Sequence, residues 1–152
     1  MTLEEQLCFA LYNATNAVIR TYRPWLREIG LTYPQYLVLL VLWQNGELTM
    51  GDIATRLALP QGGITPIVEK LEEANLIVRR RDKGDRRIVS VELTDSGANL
   101  ESAANEAQRR VACATTLSEE EAADLRSKLQ NLNNRLTCIP ATNFLDHETA
   151  GR

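Results

Sequence analysis

Leu3, Leu7, Leu11, Ala14 and Val18 recur three and four positions apart, which predicts a helix over 3–28 with one apolar stripe. Cys8, Tyr12, Ile19 and Tyr22 fall on an adjacent stripe, so this helix offers more apolar and aromatic surface than one partner covers. Gly30, in "EIGLT", is a stop signal. Thr32 with Gln35 is a capping-box pattern that opens the next helix, and Pro34 is tolerated in its first turn. The stretch "YLVLLVLW" is apolar nearly all round, which predicts a central, buried helix ended by "QNGEL".

Thr49 with Asp52 repeats the box ahead of "MGDIATRLAL". After the tight turn "ALPQGG", the segment "ITPIVEKLEEAN" predicts a helix with Ile64, Ile67, Val68 and Leu71 inward. Two short helices across a tight turn, behind a buried helix, are a helix-turn-helix candidate. "LIVRRR" and "RIVSVELT" are β-branched runs joined by the glycine-containing turn "DKGD". Val89, Val91 and Leu93 alternate with Ile88, Ser90 and Glu92, so the expected hairpin has one apolar face and a basic tip: a wing. From Asp95 the chain returns to helix through "ANLESAANEAQRRVACATT". Ser118 with Glu121 then starts "EEEAADLRSKLQNLNNRL", where Leu125, Leu129, Leu132 and Leu136 form a narrow seam-like stripe.

The expected fold is mainly α with a small β-hairpin wing, a winged helix-turn-helix domain over 1–140. Residues 32–94 form its DNA-binding part. Residues 1–30 and 95–137 form terminal dimerisation helices, because their stripes exceed what so small a core can satisfy. The last residues, 141–152, lack periodicity and read as a loose tail. A dimer presents two recognition helices to one pseudo-palindromic duplex.

Composition narrows the chemistry. Of 152 residues, 44% are hydrophobic and 24% charged, which fits one ordinary globular domain. No apolar run reaches the roughly 18 residues a membrane span needs, and "MTLEEQ" has no basic leader, so a cytoplasmic protein without a membrane partner is expected. Net charge is −3, yet "RRRDKGDRR" (79–87) concentrates six basic residues against two acidic ones. Such a run is often only a solvated loop, but at a hairpin tip after a helix-turn-helix it favours DNA. Arg80 and Arg81 suit phosphate, while Arg86 and Arg87 lie nearest the tip. On the recognition segment Gln61 and Thr65 are the polar candidates for base or phosphate contact.

Cys8, Cys113 and Cys138 are odd in number and widely spaced, which argues against a disulfide framework. There is no CxxC pair, and the one histidine, His147, is in the tail, so neither a metal site, a cofactor nor a nucleophile–base catalytic pair is expected. A free cysteine is commonly a small buried hydrophobe, and Cys113 on its alanine-rich face fits that reading as well as a reactive one. A reactive Cys8 needs donors to hold its thiolate, and tyrosine hydroxyls in an apolar wall are suitable. Buried tyrosines nonetheless serve mainly as packing with one hydrogen bond, and Tyr36 is read as core.

Over residues 3–136 the arrangement resembles the MarR-type winged helix-turn-helix regulators. "LCFALY", "YRPWL" and "LTYPQYLVLLVLW" are similar to the organic-hydroperoxide repressors of that family (the OhrR type), while "ITPIVEKLE" and "DKGDRR" leading to "VELTDSG" fit it more widely. The resemblance implies a homodimeric repressor whose Cys8 is oxidised by an organic hydroperoxide, releasing operator DNA. It implies that Tyr22 and Tyr33 reach Cys8 from the other subunit and that Tyr12 lines the same pocket. It matches Cys113 to a resolving cysteine that would form an intersubunit disulfide, and gives Asp85 the task of orienting Arg87 in the minor groove. One departure is "PQGG", where that subgroup often carries Asp-Ser-Gly-Thr; Gln61 is still able to hydrogen-bond a base, and an operator other than the family's usual one is expected. Cys138 has no counterpart and reads as incidental. The remaining alternatives are a repressor released by a small aromatic ligand, a thiol peroxidase using Cys8, and a dimeric interaction protein with no DNA role.

Overall fold

The computed structural model describes residues 2–138, so His147 and the 141–152 tail lie outside the described residues. The chain divides into two compact units, Met1–Val111 and Ala112–Arg152. Helix α1 spans Leu7–Glu28, α2 Tyr33–Asn45, α3 Met50–Arg56 and α4 Gln61–Glu73. Strand β1 is Leu48–Thr49, β2 Ile77–Arg81 and β3 Val89–Leu93; α5 is Asp95–Asn99, α6 Glu101–Ala114 and α7 Glu119–Thr137. Mostly helical with a small antiparallel sheet, this is the expected fold class.

All three capping boxes form. Gln35 donates its backbone N–H to Thr32 Oγ1 at 3.4 Å and its side chain accepts from Thr32 N–H at 2.8 Å. The Thr49–Asp52 and Ser118–Glu121 boxes close the same way. Each satisfies two N–H groups that a helix start otherwise leaves orphaned. Gly30 (φ 73°) and Gly46 (φ 75°) adopt the left-handed backbone that ends α1 and α2.

Four boundaries differ from the sequence expectation. Helix α1 begins at Leu7 rather than residue 3, because Gln6 is extended and the preceding residues form a turn in which Glu5 accepts the Thr2 N–H at 2.8 Å. Helix α4 begins at Gln61 rather than Ile64: Pro60 is its N-cap, so "QGG" is first turn and not connector. The wing is three-stranded, in the order β1-β3-β2, since Leu48 and Thr49 pair with Val91 and Ser90. The helix expected from Asp95 onward breaks at Leu100 into α5 and α6. There the Gly97 carbonyl accepts both the Leu100 N–H, at 3.3 Å, and the Trp43 indole N–H, at 3.1 Å. Gly97 is obligatory, since a Cβ would overlap the Leu76 carbonyl oxygen.

The core of the first unit is apolar: Leu39, Leu42, Ile53, Ile64, Leu71, Ile77 and Val91 are fully buried. Removing each such side chain from water contributes roughly 1.5–3 kcal/mol. Tyr36 joins this core as expected. Helix α7, in the second unit, buries none of its residues; Leu125, Leu129 and Leu136 are all exposed.

Candidate nucleic-acid interface and thiol positions

The N-terminal turn of α4 stands free. Gln61, Gly62 and Gly63 are exposed, and Thr65 is half-buried with its hydroxyl 3.4 Å from the Gln61 carbonyl oxygen. Between this turn and the wing lies an open cleft of about 600 Å³, lined by Gln61, Gly62, Thr65, Arg79, Arg87 and Ile88 among others. The geometry therefore brings Gln61, Thr65 and Arg87 to one opening.

Beyond β2 the wing turn is shaped by its two aspartates. Asp82 accepts the N–H groups of Gly84 and Asp85 at 2.7 and 2.9 Å, which holds its carboxyl below the usual carboxylate range. Asp85 accepts the Arg87 N–H at 3.0 Å and its Nε–H at 3.2 Å, with a further guanidinium nitrogen at 3.5 Å. The same Arg87 hydrogen bonds depress the Asp85 carboxyl. The Arg87 side chain is nevertheless 92% exposed, so its charge is aimed outward on a fixed base.

The other basic residues of the run divide sharply. Arg80 lies 3.3 Å from Glu92 across the hairpin. Arg81 and Arg86 are exposed and make no ion pair among the described residues. Arg79 turns back to α4, where Glu72 holds it at 2.7 Å. That engagement was not legible from the charge run; the acidic pair Glu69 and Glu72 in "EKLEE" was the available signal.

All three cysteines are exposed, so none is the buried hydrophobe that composition alone allows. Cys8 lies in the first turns of α1, and Tyr12, one turn on, is 66% exposed. Tyr22 is fourteen residues from Cys8 on the same continuous helix, about 21 Å along its axis at 1.5 Å per residue. It packs instead with Tyr33 and Tyr36, ring centroids 5.1 and 5.5 Å away. Tyr33 and Tyr36 are 6.0 Å apart, and Trp43 extends the cluster 6.4 Å from Tyr36. Burial, reinforced by the neighbouring phenols, pushes the Tyr22 hydroxyl well above its ordinary pKa; burial raises Tyr33 and Tyr36 as well. These hydroxyls stay protonated near neutrality and remain hydrogen-bond donors. Within one chain the residues expected to form a thiol pocket thus fall into two groups, Cys8 with Tyr12 and Tyr22 with Tyr33. Cys113 lies near the end of α6, and Cys138 caps α7.

Among the described residues no group of three or more His, Cys, Asp or Glu side chains is arranged to hold a metal ion. No described helix is long and apolar enough to cross a membrane.

Comparison with known proteins places this architecture. Residues 31–89 match the MarR family. The HTH-type transcriptional regulator TtmR of Methylorubrum extorquens (strain PA1) is 39% identical over 93% of this chain and 76% of its own length. The organic hydroperoxide resistance transcriptional regulator of Bacillus subtilis (strain 168) is 37% identical over 87% of this chain and 90% of its own. Among solved structures, reduced AbfR bound to DNA shares 32% identity with a TM-score of 0.76, covering 89% of this chain and 92% of that one. The disulfide-formed structure of AbfR, at the same identity, gives 0.61 over 89% and 90%. With a winged helix-turn-helix fold, a basic wing and these relatives, the chain belongs to the MarR family of DNA-binding transcriptional regulators.

Proposed function

We propose that the protein is a homodimeric repressor switched by oxidation of Cys8 with an organic hydroperoxide. The observation that carries this reading is the separation, along α1, of an exposed Cys8 from Tyr22, which packs against Tyr33 of α2. A Tyr22 held about 21 Å along the helix from its own chain's thiol is out of that thiol's reach, so in this reading the phenols serve the thiol of a second copy. The uncovered stripe on α1, with Leu7 61% and Val18 37% exposed, supports pairing of residues 1–30 and 95–137 between copies.

In this reading the Cys8 thiolate attacks the distal oxygen of the hydroperoxide, cleaving the O–O bond to give a sulfenic acid and, after protonation, an alcohol. The Cys113 thiol of the other subunit condenses with that sulfenic acid, forming a disulfide and releasing water. Tyr12, Tyr22 and Tyr33 hold the reacting thiol and line its apolar pocket. Gln61 and Thr65 contact the major groove. Arg80, Arg81 and Arg86 contact phosphate, and Arg87, held by Asp85, enters the minor groove of a pseudo-palindromic operator. The Bacillus relative's name and the reduced and disulfide forms of AbfR support the redox part.

The test is a promoter-fragment binding assay run reduced, after an organic hydroperoxide, and after a reductant. Reversible loss of binding is expected, and Cys8→Ser should bind but no longer release. Normal release by the serine variant overturns the reading. A covalent dimer on a non-reducing gel is expected from Cys113; a response without it removes Cys113 from the mechanism.

A second reading, release by a small aromatic acid, is favoured by one feature. A cleft of about 270 Å³ beside Tyr33 carries Arg23 and Arg27 on its rim. Titration of such acids against Cys8→Ser separates the two.

A further inference from the structure

Arg79 stands in β2, where the chain has just left α4 for the wing, and one carboxylate holds it by main chain and side chain together. Glu72 accepts the Arg79 backbone N–H at 3.1 Å through Oε1 and its Nε–H at 2.8 Å through Oε2. A terminal guanidinium nitrogen lies 2.7 Å from Glu72 Oε2, and the other lies 3.8 Å from Glu69 Oε1. Within the run 79–87, Arg80 and Arg87 pair only with wing residues, while Arg81, Lys83 and Arg86 make no ion pair among the described residues. Among the described residues, Arg79 alone joins the wing to the recognition helix by side-chain ion pairs.

The planar guanidinium presents its donors in a fixed fork, so this contact fixes an angle as well as a distance. A lysine would keep the charge and lose the fork. The side chain is 31% exposed and lines the 600 Å³ cleft between α4 and the wing, so it is close enough to the expected duplex for its role to be mistaken. Turned toward a phosphate, it would leave two unpaired carboxylates facing the DNA polyanion.

We propose that Arg79 is a positioning residue for DNA binding: clamped by Glu72, it sets the wing against the recognition helix and makes no phosphate contact of its own. This rests on the reading that α4 and the wing both meet the duplex. Six basic residues in the run then overstate the number of phosphates it neutralises.

Salt-dependent operator binding distinguishes the two roles, because each phosphate contact contributes about 0.9 to the slope of log K against log salt. Glu72→Gln, near-isosteric, is expected to weaken operator binding about fivefold, the scale of a partly exposed ion pair, with the slope unchanged. Arg79→Lys is expected to weaken binding to a similar extent, and the double variant no further than either single one, as a coupled pair requires. Thermal unfolding of each variant fixes a temperature at which all are native. Tighter, steeper salt-dependent binding by Glu72→Gln would overturn the proposal, since a phosphate-seeking Arg79 would then have been released. Wild-type affinity in Arg79→Lys would overturn it equally. Failure of the unmodified protein to bind any promoter fragment at low salt would instead sink the DNA reading.

Discussion

The winged part and the ends of the chain are built to different degrees of completion. Between α2 and β3 most large apolar side chains point inward, with Leu42, Ile53, Ile64, Leu71 and Val91 fully buried within one copy and only Leu59, Val78 and Ile88 exposed. Along α1 and α7 the stripes are just as regular, yet Leu7, Tyr12, Leu125, Leu129 and Leu136 remain exposed. Periodicity alone does not separate the two cases. A stripe over a closed core is satisfied by its own chain, whereas a stripe left in water marks a surface that a second molecule can cover.

The largest expected break falls on the complete half. Gly97→Val drives a branched side chain into the Leu76 carbonyl oxygen and disturbs the carbonyl that Trp43 holds. A cost above about 4 kcal/mol is expected, the range of the most disruptive single changes. Thermal unfolding should show the helix-turn-helix part lost; a Gly97→Val protein melting within a few degrees of the unmodified one would mean that the backbone contact is dispensable.

A matched pair of leucine substitutions sharpens the comparison. Leu71→Ala empties a fully buried site and should destabilise the fold by about 2–5 kcal/mol at any protein concentration. Leu129→Glu alters a residue 41% exposed in a single copy. Its effect should depend on concentration and show in sedimentation as a shift from dimer to monomer. Unaltered association by Leu129→Glu would remove the α7 stripe from the proposed pairing of copies.

These contrasts also explain what was legible beforehand. The three capping boxes could be read directly because each is a three-residue relation, with Thr32, Thr49 and Ser118 bonding within their own helix starts. The break between α5 and α6 lies beside a carbonyl that bonds Trp43, 54 residues earlier, a contact no local pattern displays. Strand β1 was missed because two residues cannot display an alternation. The Pro60 N-cap is hidden by two glycines that imitate a turn, so the periodicity starts the helix at Ile64, three residues late. At the candidate site, the wing's basic tip was visible as composition, but the division of labour within it was not. Which arginine faces outward depends on Glu72, Asp85 and Glu92, and only the fold sets those neighbours. The gathering of Tyr22 with Tyr33 came from family resemblance; spacing offered no hint of it.

The Glu72–Arg79 contact makes a smaller, pH-dependent prediction. Arg79 hydrogen bonds hold the Glu72 carboxyl below the usual carboxylate range. A carboxyl whose pKa falls on folding stabilises the native state above its unfolded pKa and loses that contribution as pH drops through the folded one. The melting gap between unmodified protein and Glu72→Gln should therefore be present at neutral pH and close in acid, below the ordinary carboxylate range. With the side chain 36% exposed, solvent screening keeps the gap under about 1 kcal/mol. A gap that persists at low pH would assign the difference to packing.

The smallest effects come from two of the three non-glycine residues that the described part of the chain holds in left-handed backbone, one chosen from each compact unit. Ala58 (φ 52°) turns the chain between α3 and α4, and Thr116 (φ 56°) turns it between α6 and α7. Such a φ costs an L-residue about 1 kcal/mol or more, and a β-branched side chain tolerates it least. Glycine relieves that strain but adds freedom to the unfolded chain, so the net gain is a fraction of it. Thr116→Gly should accordingly stabilise more than Ala58→Gly, although it also removes the Thr116 hydroxyl bond to the Thr115 carbonyl at 2.7 Å. Chemical denaturation of both variants ranks them. The reverse order would mean that this hydroxyl bond outweighs the strain and holds the α6–α7 turn in its shape.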